Sequence, residues 1–72
     1  MNGHAVRVVT KQVGGGQVEN FYYVAEPDPV AAQVVMRNAL GLDDQDVTAV
    51  APLSDKVVSA LGLKAGAWMK WR

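Results

Sequence analysis

The sequence predicts a small α+β domain: a two-layer sandwich in the order ββαβαβ, with an N-terminal β-hairpin and two short helices on one face of a mainly antiparallel sheet. Three observations carry that expectation. Two alternating, β-branched segments flank a run of glycines, an Asp-Pro pair opens a helical segment, and the tetrapeptide Ala-Leu-Gly-Leu occurs at residues 39–42 and again at 60–63.

Residues 4–12 (HAVRVVTKQ) and 17–25 (QVENFYYVA) alternate in the period of two that marks a strand. Between them stand Val13, Gly14, Gly15 and Gly16, and glycine reaches the positive φ angles that a short hairpin connection demands. Asp28 is placed to accept hydrogen bonds from the first amides of a helix, and Pro29 suits the first helical position. That helix should run over residues 29–40, because Gly41 is a left-handed terminator and Leu42 can fold back onto Met36 or Arg37. Asp43, Asp44, Gln45 and Asp46 form a polar turn. A third strand is expected over residues 47–51 (VTAVA), stopped by Pro52. Ser54 caps a second helix, with Leu53 and Val58 spaced for a hydrophobic staple and Gly62 with Leu63 repeating the glycine stop. If the second Ala-Leu-Gly-Leu is followed as the first is, residues 64–67 turn and residues 68–71 form a fourth strand. The alternatives are a sheet without that strand or a longer second helix.

The chain of 72 residues holds one hydrophobic core and therefore one domain, residues 1–72. Half of its residues are apolar, which sets it apart from disordered sequences. It has no cysteine, so burial alone, or burial with a second copy, must supply its stability. No secretion signal is visible and no apolar stretch approaches the roughly 20 residues that cross a bilayer, so a soluble, cytoplasmic protein without membrane contact is expected. Seven Lys and Arg balance seven Asp and Glu, which removes the general attraction to phosphate backbones that a basic protein has and makes a nucleic-acid partner an unfavoured expectation.

The residues for catalysis are few. His4 is the only histidine and stands near a terminus, where a mobile ring is expected. Glycines 14–16 join two strands and lack the Gly-Lys-Ser/Thr of a phosphate loop. Asp43, Asp44 and Asp46 lack the central glycine and distal glutamate of a calcium loop. A non-enzymatic protein without cofactor or metal is therefore expected.

What the sequence offers instead is surface. On a helical wheel, Ala32, Val35, Met36 and Ala39 form a core face, while Gln33, Arg37 and Asn38 share the opposite side with Val30 and Val34. An apolar flank of that kind suggests burial against a second copy or another protein. Phe21, Tyr22 and Tyr23 are consecutive, so either Tyr22 or the Phe21/Tyr23 pair must face outward. The C-terminal Trp68, Met69, Lys70, Trp71 and Arg72 combine the residue types that dominate protein-binding hot spots. The contact residues expected from these arguments are Val30, Val34, Arg37, Tyr22, Trp68, Lys70, Trp71 and Arg72. The leading expectation is a protein-protein interaction module whose partner is a second copy or another protein. Behind it stand a phage-type inhibitor, for example an anti-CRISPR protein blocking a nuclease or nucleic-acid-binding complex, and a single-stranded nucleic-acid binder using the Trp-rich C-terminus.

Overall fold

The computed structural model describes residues 1–41 and 46–71. Strands β1 (Gly3–Lys11) and β2 (Gln17–Val24) form the hairpin, followed by helix α1 (Pro29–Leu40), strand β3 (Val47–Leu53), helix α2 (Asp55–Ala60) and strand β4 (Trp68–Lys70). The four strands make one antiparallel sheet in the spatial order β3-β1-β2-β4, with both helices on one side. The expected ββαβαβ sandwich is thus the observed fold.

Local chemistry accounts for the boundaries. At the hairpin tip Gly15 N–H donates to the Gln12 carbonyl at 3.2 Å, and Gly14, third in that turn, has the φ of 100° that a type II turn asks of its third residue. Asp28 caps α1 by accepting from Val30 N–H at 2.8 Å, and Gly41 ends the helix in the left-handed region with its N–H bonded to the Arg37 carbonyl. Ser54 accepts from Val57 N–H to start α2. At its end Gly62 N–H donates to Ser59 O and Leu63 N–H to Val58 O, the paired bonds of a Schellman stop. The expected fold-back of Leu42 and the turn at Asp43, Asp44 and Gln45 lie outside the described residues.

Two expectations are corrected. Pro52 does not stop β3; it lies within the strand opposite His4, which is possible because β3 is an edge strand and proline lacks only the N–H that would face outward. His4 is not a mobile terminal ring, since it is a strand residue whose Nδ1 lies 3.0 Å from the Glu26 carbonyl oxygen.

The core is formed by Val6 and Val8 of β1, Tyr22 and Val24 of β2 and Val47 of β3, closed by Ala32 and Met36 of α1 with Val35 and Leu40 at its margin. Ala39, expected in this group, is exposed, and Leu40 beside it takes the place at the core margin. Gly3 is buried where β1 passes the end of β2, and a Cβ there would overlap the Val24 carbonyl and press on Val58 of α2. From residue 10 to residue 17 every residue is exposed, so the outer half of the hairpin projects beyond the core and stretches the molecule to 41 Å against 19 and 17 Å. No helix among the described residues is long and apolar enough to cross a membrane.

Candidate protein-binding surface

The sheet has one face under the helices and one face open. In a strand, alternate residues share a face. Val6, Val8, Tyr22 and Val24 belong to the core, so Ala5, Arg7 and Val9 of β1 and Glu19, Phe21 and Tyr23 of β2 point to the open side. Register extends this set into β4, where Met69 lies opposite Tyr23 and Trp71 N–H donates to the Phe21 carbonyl at 2.8 Å.

Three rings meet there. Phe21 and Trp71 pack edge to face with centroids 5.6 Å apart, and Tyr23 stacks on Trp71 at 5.5 Å with 26° between the planes. Such pairs contribute about 0.5–1.5 kcal/mol beyond the area they bury, which orders the row without hiding it. Phe21 and Tyr23 are half-buried, and Trp71 keeps 48% of its surface exposed. Arg7 and Glu19 border the row, with Arg7 Nε 3.4 Å from Glu19 Oε1. Both are largely exposed, so the pair orients the border more than it stabilises the fold.

The expected contact residues divide among different places. Tyr22, expected on an exposed surface, is instead a core residue on the helix side, and Phe21 and Tyr23 take the open face. The deciding signal lies in the sequence: Glu19 shares its parity with Phe21 and Tyr23, and a carboxylate faces water more readily than it enters a small core. Trp68 and Lys70 lie on the helix side of β4, where Trp68 packs edge to face on Tyr22 at 5.7 Å and Lys70 pairs with Tyr22 in register. Trp71 is on the open face. Val30 and Val34 are exposed on α1, one turn apart, and Arg37 is half-buried beside them. That flank is on the helix side of the sheet, away from the aromatic row. Gln33 of the same helix is drawn to the sheet, where its Oε1 accepts from Ala49 N–H at 3.1 Å. Arg72 lies outside the described residues.

Among the described residues there is no pocket and no cluster of three or more His, Asp or Glu side chains. No protein-family model, curated protein or solved structure matches the chain at a significant level.

Proposed function

We propose that this protein is a non-enzymatic, cytoplasmic protein-protein interaction module that self-associates and presents the open face of its sheet as the contact surface. The observation that carries the reading is the contiguous row of Phe21, Tyr23 and Trp71 on a sheet face that neither helix covers. Aromatic rings held in place by one another offer large contact area at little entropic cost, and Arg7 and Glu19 supply the polar rim that protein interfaces carry. The balanced charge of the chain favours a protein partner over a phosphate backbone.

The test is the solution mass, measured by light scattering over a concentration series, together with tryptophan fluorescence during titration with a single-stranded oligonucleotide. A mass above that of the monomer and unchanged fluorescence are expected. A strict monomer would remove self-association, and quenching that weakens with added salt would replace the reading with single-stranded nucleic-acid binding.

A further inference from the structure

We infer that two copies of the chain join through the outer edge of β4, in antiparallel register about Met69, into one continuous eight-stranded sheet; this deepens the self-association proposed above and rests on it.

The argument starts from backbone direction. Trp71 N–H donates to Phe21 O, and Ala25 N–H donates to Ala67 O, each at 2.8 Å. Backbone groups in an antiparallel ladder alternate sides, so the Ala67 carbonyl and the backbone groups of Met69 and Trp71 turn toward β2, and those of Trp68 and Lys70 turn outward. An outward row of donors and acceptors is a template for another strand.

Side chains select the strand. If Trp68 of one copy pairs with Lys70 of the other, both outward residues of both copies are used, giving four backbone hydrogen bonds around a two-fold axis at Met69. Each Lys70 ammonium then lies beside the Trp68 ring of the second copy, a cation–π pairing on the helix side. A shift to Lys70 opposite Lys70 sets like charges against each other, and a shift to Trp68 opposite Trp68 moves Lys70 off the opposing tryptophan. The lysine therefore specifies one register. The two chains as wholes do not repel, since each carries no net formal charge. Because the axis stands perpendicular to the sheet, the two aromatic rows fall on the same side, joined through the two Met69 side chains.

A single cysteine tests this, because the chain has none of its own. At the axis, Met69 forms a pair without backbone bonds between the copies, with Cα atoms about 4.5 Å apart, which is within disulfide reach. Met69→Cys should give a covalent dimer on mild oxidation, seen on a non-reducing gel and reversed by reductant. Val34→Cys is the control, since Val34 and Met69 are 38% and 37% exposed, and it should remain uncrosslinked. Lys70→Pro is the second variant: it removes an outward N–H and none of the bonds to β2, and should lower the solution mass to that of a monomer while the circular dichroism stays folded. A dimer in solution whose Met69→Cys variant fails to cross-link, or whose Val34→Cys variant cross-links instead, overturns the β4 interface and leaves the interaction reading standing. A native chain that is monomeric at every concentration overturns both. If Lys70→Pro does not fold, the cross-link alone decides.

Discussion

At the β3 edge of the sheet, Ala49 N–H is taken by the Gln33 side chain, the register with β1 slips at Val50, and Pro52 has no N–H to offer. At the β4 edge, a short strand of Trp68, Met69 and Lys70 carries no proline and pairs in unbroken register with β2, after a bulge at Gly66 and Ala67 that face Ala25 together. The helices deepen the contrast, since α1 packs chiefly over β3 and β1 and only marginally over β2. Edge strands invite pairing with other chains, and a cap, a bulge and a proline are devices that discourage it. The β3 edge carries all three along its length, whereas the β4 edge has only the bulge at its start, so the two edges differ in what they offer a second strand. Three variants break or sharpen that comparison.

The largest effect is expected where α1 is anchored. Met36 is fully buried among Val6, Val8 and Val47, and its side chain holds α1 over the β3 half of the sheet. Met36→Ala should lower the unfolding free energy by about 2–5 kcal/mol, measured as a shift in the urea midpoint, because it removes buried methylenes and leaves a cavity. If α1 is what guards the β3 side, exchange of the β3 amides should rise well above that of β2. A uniform rise across the sheet would mean that the edge is guarded by β3 itself.

A smaller effect is expected at Gly3, on the central strand between the two edges. A Cβ at this position meets the backbone of β2 at the Val24 carbonyl and the Val58 side chain of α2, 3.0 Å away at Cγ2. The backbone cannot yield as a flexible side chain would, so Gly3→Ala should cost about 1–3 kcal/mol. The same displacement would tilt β2 and carry β4 with it. Self-association should therefore weaken together with stability, and light scattering on the folded variant checks this. An unaltered mass would show the β4 edge to be independent of how β1 seats against β2.

Much of this fold was legible in the sequence because its boundaries are set by local chemistry. Asp28 and Pro29 open α1, Gly41 and Gly62 stop the two helices, and the glycines at 14 and 15 turn the hairpin; each needs only its neighbours along the chain. The aromatic face was half legible. Parity forced a choice between Tyr22 and the Phe21/Tyr23 pair, and Glu19, a carboxylate of the same parity as the pair, was the signal in the sequence that decided it. The two edges were not legible at all. Which strand lies outermost follows from the order β3-β1-β2-β4, a matter of how the helices cross over, and Pro52 reads as a strand stop until β3 is seen at an edge. Gln33 looks like an outward polar residue on the helical wheel, and its bond to Ala49 spans 16 residues.

That bond sets the last and smallest test, which addresses the edge contrast most directly. Ala49 N–H points away from β1, to an oxygen supplied by a helix, and the pair is partly buried. Gln33→Ala removes the acceptor while leaving the packing of Ala32 and Met36 on the other side of the helix intact. A net hydrogen bond of this kind is worth about 1 kcal/mol, so a small shift in the unfolding midpoint is expected. The local readout is sharper, because amide exchange at Ala49 should quicken by about five-fold, the equivalent of that energy, while exchange at Val47 follows only the global change. Removal of the cap also leaves an outward donor on β3, so any added association of this variant should persist when Lys70→Pro blocks β4. Equal exchange at Ala49 in both proteins would mean that Gln33 does not guard the edge, and the asymmetry of the sheet would then rest on Pro52 and the bulge at Val50.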